Sequence, residues 1–266
     1  MKNRILEKME ELKSRDGKSF SIVLMIGDPD TQSTDRLVQI AVESGVDVVE
    51  LGIPYDNPFL DSPVMKASMQ RALEWSTDLD DYLDYLVEVR EKFPDTPFEV
   101  MIYYDTVMQI GLQRFAEALA KAQMDAVLVA DYVLQDTNFL RDLDKSLADS
   151  GVIPIRFVPH PFDKEQVYDL KENTRGFFIA QTPTDDNGQR KGVLDSYKDK
   201  IDFLRQSGIQ TPIVSAYGIK TPENIKKCLS FGADGVLLGT LALEKGYELP
   251  PEKFRELLTM LRKATA

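Results

Sequence analysis

The chain contains a single cysteine, Cys228, and a single histidine, His160. One cysteine excludes an intramolecular disulfide and any cysteine-based metal cluster. One histidine disfavours the metal site of a typical metal-dependent aldolase. Cys228 lies in "NIKKCLSFG", which has helical spacing, and reads as a small buried hydrophobe. No stretch approaches the roughly 18 uncharged apolar residues of a membrane-spanning helix. The N-terminus, "MKNRILEKMEELKSRDGKSF", is charged and amphipathic, unlike a secretory signal, so a cytoplasmic protein is expected. Positive charge is also scarce: 32 Lys and Arg against 44 Asp and Glu give a net charge of −12. That balance argues against nucleic acid or an anionic membrane as partner, because both are polyanions. A small anionic substrate stays open, since backbone N–H groups bind phosphate without basic side chains. There is no Pro/Ser/Gly-rich linker and no low-complexity tract. The dinucleotide fingerprint is missing as well, because "MIGDPD" is not G-x-G-x-x-G.

What the chain does have is eight short runs rich in Val, Ile and Leu. They are "SIVLMIG" (21–27), "VDVVELG" (46–52), "FEVMIYY" (98–104), "AVLVAD" (126–131), "IPIRFVP" (153–159), "GFFIAQ" (176–181), "PIVSAYG" (212–218) and "GVLLGT" (235–240). Segments with i, i+3, i+4 apolar spacing separate them, and several end in Gly just before the next run: Gly45, Gly151, Gly208 and Gly232. Near-continuously apolar strands alternating with helices predict a parallel sheet covered by helices. Eight such units close a barrel, and 266 residues suit a single (β/α)8 TIM barrel with an N-terminal helix. An open doubly wound sheet is the alternative.

In a barrel the chemistry sits where strands end in loops at the C-terminal face. That rule selects Asp28, Glu50, Asp61, Tyr103, Tyr104, Asp131, Arg156, His160, Gln181, Tyr217 and Thr240. Strand alternation puts Val49 and Leu51 on one face and turns Glu50 toward the barrel mouth. A carboxylate there is poorly solvated, which raises its pKa and suits it to proton transfer near neutrality. Asp61, held by "FLDSP", can lie opposite it, and two carboxylates in unlike environments divide acid and base roles. The competing reading makes Glu50 structural, bonded to a tyrosine or a backbone N–H. Arg156 is expected to face the helix layer and pair with a carboxylate. His160 is expected to be a loop residue.

Five segments, "GDPDTQST", "VDVVELGIPYDNPFLDSP", "AVLVAD", "AYGIKTPENI" and "GADGVLLGT", together resemble the tryptophan synthase α-subunit family over nearly the full chain. The Glu-Leu-Gly-Ile-Pro core and the Glu-to-Asp spacing of the family's second-strand motif are intact. The resemblance implies a barrel that cleaves indole-3-glycerol phosphate to indole and glyceraldehyde 3-phosphate, a retro-aldol lyase with no cofactor, metal or Schiff base. By this resemblance Glu50 is the general acid–base group and Asp61 accepts a hydrogen bond from the indole N–H. The ring slot is lined by Val23, Met101, Tyr103, Leu128, Ala130, Phe157, Phe178 and Tyr217. The phosphate lies on backbone N–H groups near Gly218, Gly239 and Thr240, with Gly188 a further candidate. A β-subunit partner is implied too.

Two features of the residues agree with this independently. Loops after strands seven and eight commonly bind phosphate in such barrels, and here those strands end in glycines. None of the eight strand segments contains lysine, which disfavours a Schiff-base aldolase. The chain also departs from the family's pattern. Asp56-Asn57-Pro58 and Leu60-Asp61-Ser62-Pro63 replace S-D-P and A-D-G-P in a loop that meets the partner, and Asp105 stands for the usual Asn. "TPTDDNGQRKG" lacks the G-V-T-G lid, and Tyr217 replaces a phenylalanine. A different phosphorylated substrate on the same acid–base pair, or a non-catalytic homologue, therefore stay open at this point.

Overall fold

The computed structural model describes residues 3–131, 134–135, 137–158, 171, 174–181, 193–216 and 218–266. Nine parallel strands are described: β1 (Ser19–Met25), β2 (Val48–Gly52), β3 (Phe98–Ile102), β4 (Ala126–Val129), β5 (Ile153–Pro154), β6 (Arg156–Val158), β7 (Phe178–Gln181), β8 (Ile213–Ala216) and β9 (Gly235–Leu238). Their order is β5-β4-β3-β2-β1-β9-β8-β7-β6. The two ends of that list, β5 and β6, are halves of one strand separated by Ile155, so the sheet closes on itself and eight strands are in effect present. The break has a local cause. Ile153 and Ile155 donate their N–H groups to β4, so Pro154 and Arg156 fall on the side facing β7. Proline has no N–H to give, and pairing to β7 begins only at Arg156.

Helices form the outer layer: α1 (Arg4–Ser14), α2 (Thr31–Glu43), α3 (Pro63–Trp75), α4 (Leu79–Lys92), α5 (Tyr104–Ile110) and α6 (Leu112–Lys121) come first. After them come α7 (Thr137–Leu147), α8 (Val193–Gln206), α9 (Pro222–Ser230), α10 (Thr240–Glu248) and α11 (Pro251–Lys263). Their apolar stripes cover strands that are buried along their length, as with β1 and β2. Gly45, Gly151, Gly208 and Gly232 all have positive φ, the backbone a helix needs to turn off its axis toward the next strand. Among the described residues no helix is long and apolar enough to cross a membrane.

The bottom of the barrel is closed by α1. Asn3 caps it by accepting from the Leu6 N–H, and its side-chain amide donates to the carbonyls of Asp125 and Gly151 at the feet of β4 and β5. The feet of the strands are pinned by one device used three times. Asp47, Asp125 and Asp234 accept the backbone N–H of Phe20, Phe98 and Ile213, each on the preceding strand of the sheet. Each aspartate also meets an arginine: Arg262, Arg90 and Arg205 in turn. Such repeated clamps belong to the stability face of a barrel and leave the opposite face to the loops.

Candidate active site

At the C-terminal face a cavity of about 320 Å³ opens between the loops. Strand parity decides what enters it. Val23, Glu50, Met101, Tyr103, Leu128, Phe157 and Ala216 alternate inward and line it, and Ala130, Gly218, Gly239 and Thr240 add the ends of β4, β8 and β9. Asp61 closes one side from the loop after β2, where a turn from Pro58 to Asp61 precedes the Ser62 cap of α3. Nearly all the residues expected from the sequence are therefore brought together.

Phe178 is the exception. Phe157, which lines the cavity, is the register partner of Ile179, so Phe178 is one step out of phase and packs fully buried in the opposite layer. The expectation that it lines the ring slot is corrected: reading "GFFIAQ" without a neighbour's register left the parity of two adjacent phenylalanines ambiguous. Tyr217, Gly188 and His160 lie outside the described residues. Asp28 is buried and held by Arg71 through two bonds of 2.6 Å, with Ser68 donating to it, so it is a structural group beside the cavity. Asp131 accepts the N–H of Tyr104 at 2.8 Å and so starts α5. Arg156 faces the helix layer and meets Asp144 at 2.5 Å, as its strand parity predicts. Cys228 is buried.

Glu50 is 2% exposed and its Oε2 has no hydrogen-bond partner. A purely structural glutamate in that position would be bonded, because buried polar atoms nearly always are. Burial pushes its carboxyl up to about 8, and the charge of Asp61 adds to the rise. Asp61 is partly buried and accepts the Tyr103 hydroxyl at 2.5 Å. Burial lifts its carboxyl to about 6, against the Tyr103 hydrogen bond and Lys66, which pull it down. At neutral pH one carboxyl thus keeps its proton and the other is an anion, which is the separation that acid–base division requires. Tyr103 is fixed in turn by stacking on Tyr55, 4.7 Å between ring centres, and Tyr55 donates to Asp105 at 2.6 Å. Asp105 therefore anchors the aromatic wall.

The other end of the cavity is suited to an anion. Helix α10 has Gly239 as its N-cap and so no side-chain cap, which leaves its first-turn N–H groups to donate toward the cavity. A Cβ placed on Gly239 would meet nothing nearer than 3.6 Å, so packing does not demand glycine there; its bareness keeps the approach to those donors open. Gly218 differs, because its φ of 70° itself requires glycine. The Ser62 and Thr240 hydroxyls bond at 3.1 Å and tie the loop of Asp61 to the mouth of α10. Three lining residues of note escaped the sequence reading. Lys220 sits beside Gly218 on the rim, in a segment read only for its glycine. Leu60 and Ile219 add apolar wall from loops, where no periodicity marks an inward residue.

The model of the tryptophan synthase alpha chain family matches residues 9–261. The tryptophan synthase alpha chain of Caldanaerobacter subterraneus subsp. tengcongensis is 31% identical over 248 residues, covering 92% of each chain. That of Geobacter sulfurreducens is 32% identical, covering 92% of this chain and 90% of its own. The solved tryptophan synthase subunit alpha of Legionella pneumophila superposes with a TM-score of 0.87 at 27% identity, over 100% of this chain and 99% of its own. The Pyrococcus furiosus tryptophan synthase complex, at 21% identity, shares the fold with a TM-score of 0.80, over 92% of this chain and 98% of that one. A (β/α)8 barrel whose mouth holds this carboxylate pair, and a match that runs nearly end to end, place the chain in the tryptophan synthase alpha chain family.

Proposed function

We propose that this cavity cleaves indole-3-glycerol phosphate to indole and glyceraldehyde 3-phosphate, with Glu50 as the general acid–base group and Asp61 as the electrostatic partner of the ring. The observation that carries the reading is a buried Glu50 with an unpartnered Oε2 sharing an apolar slot with Asp61, burial raising both carboxyls and Glu50 the further. Glu50 gives its proton to the ring carbon that bears the side chain, which makes the ring a cation. Asp61 accepts the ring N–H and stabilises that charge. The Glu50 carboxylate then takes the proton of the adjacent hydroxyl while the carbon–carbon bond breaks, and its electron pair returns to the ring. One proton enters and one leaves, so Glu50 is restored. Val23, Met101, Leu128, Ala130 and Phe157 hold the ring by apolar contact. The N–H groups near Gly218, Gly239 and Thr240 hold the phosphate.

The chemistry is read as metal-free and without a Schiff base. What supports this is the proton inventory of the site itself, which is complete with two carboxyls. The absence of lysine from all eight strand segments also supports it. A β-subunit partner is supported by Phe59 and Leu60 on the loop after β2 and by Met108 on α5 after β3, each about half exposed. Apolar side chains clustered at one face mark a contact surface.

The direct test is incubation of purified protein with indole-3-glycerol phosphate, following indole release with and without a β-subunit. Release is expected and should be inhibited by the unreactive mimic indole propanol phosphate. No release under either condition removes this reading.

A further inference from the structure

A second buried carboxyl stands directly beside Glu50, and the reaction above does not use it. Glu99 is the register partner of Glu50 across β2 and β3. It shares its strand face with Met101 and Tyr103, which line the cavity, so it points inward one layer deeper. Neighbouring strands stand about 4.8 Å apart, which brings side chains on register partners within reach of each other. Glu99 is 1% exposed, and its Oε1, like Oε2 of Glu50, has no hydrogen-bond partner. Two orphaned carboxyl oxygens on paired positions can satisfy each other only if one of the groups carries a proton and donates it.

The described surroundings give no other means of neutralising them. From β1 the inward neighbours are Ser21 and Val23, and from β4 Ala126 and Leu128. The described inward side chains of β6 to β9, from Phe157 to Leu237, are apolar. Among the described residues the titratable groups facing the pair are Asp61 and Tyr103 at the mouth and Lys220 on the rim. Burial is the largest influence on Glu99 and the Glu50 charge the second, and both hold its carboxyl well above the usual range.

We propose that Glu50 and Glu99 share one proton at the moment of catalysis: Glu99 is a positioning residue that keeps its own proton and donates it in a hydrogen bond to the Glu50 carboxylate. Like charges this close in an apolar cavity do not both form. When Glu50 gives its proton to the substrate, its new charge therefore meets a fixed donor instead of a hydrocarbon wall. The proton taken from the substrate hydroxyl returns to Glu50, and Glu99 ends as it began. The kinetic side of this inference rests on the proposed reaction; the proton sharing does not.

The test is a pH titration of the full-length protein carrying carbon-13 in its glutamate side-chain carboxyls, followed by NMR, with Glu50→Gln, Glu99→Gln and Glu99→Leu. The wild type should show two steps that depend on each other. Glu99→Leu should move the Glu50 step upward by about one pH unit or more, because the donor is lost, while Glu99→Gln, which still donates, should leave it nearly in place. Glu50→Gln should bring the Glu99 step down. The acid limb of kcat/KM for indole release should follow the Glu50 step in each variant. If Glu50→Gln leaves the Glu99 step unmoved, or Glu99→Leu leaves the Glu50 step unmoved, the inference is overturned. Should Glu99→Leu fail to fold, the two glutamine variants decide alone. Coupled steps without indole release would sink the reaction and keep the pair; indole release with independent steps would do the reverse.

Discussion

The two ends of the barrel hold carboxylates under opposite conditions. At the bottom Asp47, Asp125 and Asp234 each have a backbone N–H and an arginine, with Arg262 at 3.1 Å and Arg90 at 2.9 Å from the first two. In the interior and at the mouth, Glu50 and Glu99 have neither, and Asp61 has the hydroxyl of Tyr103. Even where burial acts on both ends the outcome differs. Asp47 is raised by desolvation but held back by Arg262 and by the Phe20 N–H, while Glu50 has nothing to pull it down. A buried carboxylate with full partners fixes a structure; one without them holds its proton more tightly, and at Glu50 that suits proton transfer.

The largest effect is expected from removing the orphan. Glu50→Gln should lower kcat by roughly 10³-fold, within the range general acid–base groups supply. It should also change stability, with a definite sign. The folded carboxyl binds its proton up to about 8 and the unfolded one only to about 4.5. The wild type therefore loses stability as pH rises from about 4.5 through 8, by an amount on the order of 5 kcal/mol. The glutamine variant lacks that loss. Urea unfolding of both proteins at pH 5 and pH 9 measures it: the variant should gain on the wild type at the higher pH. An unchanged difference between the two pH values would mean that Glu50 is solvated in the folded state.

The complementary change at the bottom should do the opposite. Arg90→Leu leaves Asp125 buried without its main counter-charge, and breaking such a pair costs about 3–5 kcal/mol. Thermal unfolding should show the loss, while kcat of the protein that remains folded should stay within about twofold of wild type. A large fall in kcat at constant fold would show that the two ends are coupled and would break the comparison.

The sequence exposed this architecture unevenly. The barrel was readable because eight apolar runs alternate with helical spacing and end in glycines, and each of those signals is local. Glu50 was readable because a carboxylate interrupts a run that is otherwise apolar. Glu99 interrupts "FEVMIYY" in the same way, yet it lies near the start of its strand, where a polar residue is unremarkable. Only the register with β2 shows that it faces Glu50. Phe178 was misplaced for a related reason: alternation within one strand fixes relative faces, but which face is inside depends on the neighbour. The three bottom clamps were equally hidden, since each joins residues separated by 21 to 215 positions.

Lys220 offers the smallest effect and the finest test. It is exposed on the rim beside Gly218 and carries a charge at the end where the phosphate is proposed to lie. An exposed ion pair contributes about 0.5–1 kcal/mol, so Lys220→Ala should raise KM roughly two- to fivefold. Because the phosphate takes no part in bond breaking, ground state and transition state should lose equally and kcat should hold. Salt should shrink the difference, since an exposed charge is screened over about 10 Å at 0.1 M ionic strength. Steady-state indole release at two salt concentrations separates the contributions. The contrary pattern, a collapse of kcat at constant KM, would mean that this lysine touches the reacting carbon. That result would replace acid–base cleavage with amine chemistry, and the contrast between orphaned and paired carboxylates would no longer explain what the mouth of the barrel does.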